Sequence, residues 1–377
     1  MAPARLPWPT SATVHRWRSG RGQKGHQERT YEVLALPAMN TIPPMQVLSG
    51  VANDRSHDLH EAGAYEWWYA DAQSTDGEWG FVVILFRGMP MSPDYLADEN
   101  GRPVDHPALA ISVYHRGARI AFAVHGTQPQ RSQFSQNGTG VTVLSSSITN
   151  AEDGSIHVRV NTASQREERS IDIDAVFHPR VTIAPSLAPF QAQHGWVLVA
   201  PWCDVTATVI LRERGVQAVK VTWTGSGYRD HNMGHRPLGA DFGRWLWGRV
   251  HTNDTTWVYL ALPDGPQPFL WLGRCTVNGL DVGAEPQLLV EGQRRTFMGL
   301  RVPRTIVVSA QFDDGERTLR CDNNVTVENG PFYQRYLSSW SQNGHHLGQG
   351  MSEFLDAQRL RQPWIRPFLR LPWQRIV

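Results

Sequence analysis

An antiparallel all-β fold is what this sequence predicts, and three observations lead to it. Short apolar or alternating runs recur along most of the chain, among them residues 79–86, 108–114, 170–177, 218–223 and 305–312. Turn-forming pairs punctuate them: Asp76-Gly77, Asn100-Gly101, Asn137-Gly138, Asp153-Gly154 and Asp314-Gly315. Helical periodicity is weak until residues 351–360, where Ser352 reads as the cap of a short helix. At 377 residues, two barrels or sandwiches fit better than one. The expected division is 1–46, 47–232 and 233–377. The first is a disordered segment, the second and third are β domains, and the third ends in a short helix and tail. A pocket is expected where the two domains meet.

Each segment has its reason. Residues 1–46 are polar, proline-rich and basic, with Arg5, Arg16, Arg18, Arg21 and Lys24, and lack the apolar core of a secretory signal. The 36 basic and 35 acidic residues leave a net charge of +1, which offers nothing to attract nucleic acid or an anionic membrane. Cys203, Cys275 and Cys321 are odd in number and form no CxxC pair, so reduced thiols and a cytoplasmic setting are expected. No run approaches the ~20 apolar residues of a spanning helix. Fifteen Trp residues suit a large apolar core and the lining of a hydrophobic pocket.

Chemistry concentrates in three places. In Tyr65-Glu66-Trp67-Trp68-Tyr69, alternation sends Trp67 and Tyr69 to one face and Glu66 and Trp68 to the other. His194 and Trp196 share a face two residues apart, and Tyr228 and Asp230 do the same. A carboxyl group among aromatic rings has its pKa raised, which keeps a proton available near neutral pH. Arg244-Trp245-Leu246-Trp247 follows closely. His231 and His235 have the spacing of a helical metal pair, but Gly227, Gly234 and Pro237 oppose a helix, so no metal site is expected. The glycines around Ser226 match neither a dinucleotide fingerprint nor a nucleophile elbow.

Taken in order, these motifs resemble the carotenoid 1,2-hydratase (hydroxyneurosporene synthase) family. The likeness runs from Glu66-Trp67-Trp68-Tyr69-Ala70-Asp71-Ala72 through His194-x-Trp196 and Gly227-Tyr228-x-Asp230-x-Asn232-x-Gly234. It continues to Arg244-Trp245-x-Trp247, Phe354-Leu355-Asp356 and the terminal Pro367–Pro372 run. It departs at Met233, where that family tends to carry Trp, a change expected to bear on the substrate.

The resemblance implies two lipocalin-like β domains and a cofactor-independent hydro-lyase acting on a terminal C=C of an acyclic polyene. It also implies catalytic roles for His194, Trp196, Tyr228 and Asp230. In this reading Asp230 is the acid, Tyr228 orients it, and His194 positions or deprotonates the water. Trp196 and Trp67 face the carbocation. Trp67, Trp68, Tyr69, Asn232, Trp245 and Trp247 are expected to bind substrate. The same superfamily resembles lipocalin-like Diels–Alderases, which leaves cycloaddition as an alternative; a carrier of hydrophobic ligands is another. Residues 364–373 mix aromatic and cationic side chains, as expected either of a peripheral membrane anchor or of a tail packed on the barrel.

Overall fold

In the strand Tyr65–Ser74, Trp67 and Tyr69 point to one side and Trp68 and Ala70 to the other, and both sides are packed. A strand buried on both faces needs a layer against each. The computed structural model describes residues 31–34, 44–164, 169–265 and 267–376 and supplies both layers from two curled sheets. In the thirteen-stranded sheet, Tyr65–Ser74 lies between Trp79–Arg87 and the long strand Val216–Gly234, which pairs in turn with His194–Glu213. This sheet curls over a core containing Trp68, Phe81, Phe177 and Val205.

The chain leaves the first sheet at Gly234 and enters the second at Arg244. Among the described residues the second sheet has ten strands, with Arg244–His251 between Thr256–Leu262 and His345–Asp356. It curls over its own core of Leu246, Tyr259, Tyr336 and Trp340. Between the sheets lies a third apolar layer, rich in aromatics such as Tyr69, Trp196, Tyr228, Trp245, Trp247 and Trp271.

Three expectations need correction. Within 1–46, Tyr31–Leu34 is a strand on the edge of the second sheet, opposite 288–291, and Met45–Ser49 runs parallel to His194–Glu213. Backbone pairing to a sheet edge orders these short pieces despite their polar surroundings. The remainder, 1–30 and 35–43, lies outside the described residues. Residues 351–356 continue a strand rather than starting a helix, and Ser352 is a buried strand residue bonded to Asn323. Coiling starts later: Ala357–Arg361 and Pro363–Ile365 are 3-10 turns and Arg366–Arg370 is a short α-helix. Finally, Trp373–Ile376 returns to the first sheet, parallel to Ala118–Thr127. Gly126 permits this, because a Cβ there would lie 2.2 Å from the Trp373 ring. Among the described residues, no helix is long and apolar enough to cross a membrane.

Buried charge ties the two sheets together. Asp71 of the first sheet meets Arg249 of the second, with both side chains shielded from solvent. Ser112 and Tyr114 of the first sheet donate to Glu328 of the second, which also holds Arg335. Removing one member of such a pair strands the other charge in a low-dielectric layer. Arg249→Met is therefore expected to lower unfolding free energy by about 3–5 kcal/mol. Urea titration checks this, and an unchanged midpoint would refute the role of the pair.

Candidate functional site

The site grows from the last turn of alternation in Val216–Gly234. Tyr228, Asp230 and Asn232 face the layer between the sheets, while Arg229, His231 and Met233 face away. Gly227 lets the strand press onto its neighbours, since a Cβ there would sit 2.4 Å from the Phe177 ring. Asp230 is 4% exposed, and its carboxyl collects three donors. Trp196 Nε1 and Tyr228 Oη donate to Oδ2 at 2.8 and 2.9 Å, and Asn232 Nδ2 donates to Oδ1 at 3.1 Å. Burial pushes the Asp230 pKa up to about 7, against the opposing pull of the Trp196 and Tyr228 hydrogen bonds. Two donors fill the lone pairs of Oδ2, so the acidic proton belongs on Oδ1, beside Asn232. Asn232 Oδ1 itself has no hydrogen-bond partner among the described residues.

Asp230 and Asn232 open onto a cavity of about 430 Å³. Trp67, Tyr69, Trp245, Trp247 and Phe332 supply much of its wall, from both sheets. This size and apolar lining suit an organic ligand with few polar groups. A second set of polar groups also reaches the cavity: Glu353, Arg335 and Glu328. Arg335 Nε donates to Glu353 at 2.8 Å. Burial raises the Glu353 pKa and Arg335 opposes it. For Glu328 burial also acts upward, but Arg335 and the hydroxyls of Tyr114 and Ser112 outweigh it and the net shift is down. Sequence reading missed this trio; the available signal was charge at inward positions of otherwise apolar alternating strands.

The structure brings Trp67, Tyr69, Asn232, Trp245 and Trp247 to the cavity with Asp230. Trp196 and Tyr228 do not line it; they stand behind Asp230 and hold it. Trp196 meets Trp271 edge to face at 5.2 Å and presents its N–H to Asp230. That corrects its expected place against a cation.

His194 is also outside the cavity. Tyr65 Oη and Asp241 engage its two ring nitrogens at 2.8 and 3.0 Å, and burial lowers its pKa despite Asp241. It is thus not placed to position or deprotonate a water in the cavity. Trp68 belongs to the opposite face, stacked on His231 with ring centres 4.3 Å apart, because its strand alternates. Met233 packs with Leu48 and Val197 and does not reach the ligand space, so its departure from the family pattern does not shape that wall.

His231 and His235 part company. His235 pairs with Glu61, whereas His231 lies between Asp54 and Glu66. His57, Glu66 and His231 cluster closely, yet Glu66 Oε1 already accepts from the His57 backbone, the His57 ring and His231, with Arg87 beside it. This reads as a charged hydrogen-bond network rather than a ligand set.

Residues 83–376 match the family model of the carotenoid hydratase CrtC. The chain belongs to this family. It is 26% identical over 345 residues to hydroxyneurosporene dehydrogenase of Chlorobaculum tepidum, covering 81% of this chain and 86% of that protein. It is 29% identical over 213 residues to the acyclic carotenoid 1,2-hydratase of Thiocapsa roseopersicina, covering 52% of this chain and 47% of that one, so the match spans about half of that relative. Among solved structures, an AttH candidate from Nitrosomonas europaea matches with a TM-score of 0.58 at 12% identity, over 81% of this chain and 95% of that one. CghA bound to Sch210972 matches with a TM-score of 0.50 at 13% identity, over 86% and 98%. These likenesses establish the two-sheet lipocalin-like fold that the carotenoid hydratase resemblance implied.

The geometry predicts how Asp230 titrates. Trp196 and Tyr228 favour the carboxylate, so Tyr228→Phe or Trp196→Phe removes a stabiliser of the charged form and raises the pKa. A charge-assisted hydrogen bond of ~1.5–3 kcal/mol corresponds to roughly one to two units. Carboxyl-carbon NMR titration of labelled Asp230 measures the shift, and a downward shift in both variants would contradict the arrangement.

Proposed function

We propose that this chain is a hydro-lyase that adds water across a terminal C=C of an acyclic carotenoid. A carboxyl group held by three donors and facing an aromatic cavity carries the reading: Asp230, with its pKa pushed up to about 7 by burial, so that an acid form is available near neutrality. An isolated alkene accepts a proton only from an acid brought into contact with it, and water must otherwise be kept away.

In the proposed cycle, Asp230 Oδ1 gives its proton to the terminal double bond. The π electrons form the new C–H bond, and positive charge develops at the tertiary carbon. The faces of Trp67, Trp245 and Trp247 stabilise that charge, at ~1–2 kcal/mol per well-placed ring. A water held beside Asn232 adds to the cation, and its excess proton returns to the Asp230 carboxylate. Tyr228 and Trp196 are positioning residues that fix the carboxyl. Buried Tyr228 keeps its proton, because burial and the Asp230 carboxyl both raise its pKa. The polyene enters by peripheral contact with a membrane, on its cytoplasmic face.

The cycle needs Asp230 protonated at the start. Activity should be full below about pH 7 and fall as pH rises through the Asp230 pKa. Asp230→Asn preserves the shape and cannot deliver the proton; hydration should drop roughly 10²–10⁴-fold. Co-expression with lycopene biosynthesis and product analysis tests both the reaction and the residue. Parent-level hydration by Asp230→Asn would sink the acid assignment. A wild type that binds pigment without converting it would favour a carrier, and one that accelerates only a cycloaddition would favour the Diels–Alderase reading.

A further inference from the structure

The mouth of the cavity carries a surface that hydration chemistry does not require. Phe297 is 100% exposed, Leu371 81%, Trp364 45% and Phe368 37%. They are neighbours. Met298, next to Phe297, lines the cavity, as do Phe368 and Leu371. Arg359 bonds the carbonyls of Met298 and Gly299 and lies over the Trp364 ring, which meets the Phe368 ring edge to face.

The segment is two-sided. Ile365 and Leu369 are buried and clamp it to the body, while Trp364, Phe368 and Leu371 look outward. The tail thus packs on the body through one face, and its other face presents the aromatic and cationic side chains that the interfacial reading calls for. Its charge has one sign. No Asp or Glu follows Asp356, whereas Arg361, Arg366 and Arg370 are exposed and have no acidic partner among the described residues.

We propose that this rim is a docking surface for a lipid bilayer bearing anionic headgroups, seated so that the cavity mouth opens into the acyl region. Aromatic and aliphatic side chains flanked by arginines are the composition that binds such an interface, the rings entering the headgroup boundary and the guanidinium groups meeting phosphate. A polar protein partner would leave Phe297 and Leu371 without a use. The mouth position adds a reason: a polyene passing directly from bilayer to cavity never crosses water. The proposal rests on the reading of an apolar, membrane-dissolved substrate, but it is tested without one.

The experiment is flotation of the full chain with vesicles of phosphatidylcholine alone, and with vesicles of phosphatidylcholine mixed with phosphatidylglycerol. The comparison variant combines Phe297→Ser, Arg366→Glu and Arg370→Glu, all at exposed positions outside the cavity wall. The parent should float with the mixed vesicles and much less with phosphatidylcholine alone. The variant should bind the mixed vesicles at least tenfold more weakly, with an unchanged thermal midpoint and unchanged turnover of detergent-dispersed polyene. Absence of parent binding, or equal binding by parent and variant, overturns the proposal. A concentration-dependent dimer abolished by the same substitutions assigns the face instead to a second copy of the chain. Loss of hydration activity in the parent, with vesicle binding intact, would refute the proposed reaction and leave the docking surface standing.

Discussion

The structure is organised around one carboxyl group that has to be both buried and held. Burial alone would leave Asp230 neutral but free to turn; donors alone would fix it as a carboxylate. Here the two act together and nearly balance. Trp196, Tyr228 and Asn232 set its orientation, and loss of solvent keeps the proton affinity high enough for the acid form to exist near neutrality. Each donor comes from a strand rather than a loop: Trp196 from His194–Glu213, Tyr228 and Asn232 from the same strand as Asp230. Strand positions are fixed by ladder hydrogen bonds on both sides, which suits a group whose value depends on direction.

The opposite face of that strand explains why it can carry such a load. Arg229 is fully buried and makes two hydrogen bonds to Asp54, at 2.9 and 2.7 Å. His231 reaches both Asp54 and Glu66; burial disfavours its charge, but the two carboxylates outweigh that and raise its pKa. Glu66 is correspondingly lowered to about 2, its partners overcoming burial. Charge is thus compensated on one face while the other presents a single carboxyl group whose pKa burial pushes up to about 7. A one-residue slip of the strand would exchange the two faces and place Arg229 in the cavity. The buried network therefore specifies register as well as contributing to packing.

Much of this was legible in the sequence, and the failures are instructive. Period-2 patterning and paired turn residues announced the all-β fold, and i, i+2 spacing correctly put Tyr228 and Asp230 on one face. The same rule put Trp68 opposite Trp67 but could not say which face would meet the ligand, because both faces of that strand are apolar. His194 and Trp196 do share a face, yet one ends against Asp241 and the other against Asp230. Which neighbour each side chain meets depends on Asp241, 47 positions beyond His194 and in a connecting segment without periodic signal. Glu353 and Arg335 were missed because their partners come from other strands, and a single charge in an apolar run looks like a solvent-facing position. The parallel return of Trp373–Ile376 was equally hidden, since four residues carry no period.

The pairing of Asp230 with Asn232 bears on how a cation formed in the cavity would end. Once the carboxyl has given up its proton it is a base beside an electrophile. The simplest outcome is to take a proton back and regenerate an alkene. Hydration wins only if water is already closer to the cationic carbon than the carboxylate is to a neighbouring C–H. In the proposed cycle Asn232 helps to meet that requirement. Its Nδ2 is committed to Asp230 Oδ1, which turns its buried Oδ1 away from the carboxylate and leaves that oxygen without a hydrogen-bond partner among the described residues. In that cycle one side chain couples the acid to the nucleophile's place, and the aromatic rings around Asp230 limit how many other waters come near the cation. Water held beside the acid is then the property that separates a hydratase from an isomerase built on the same acid.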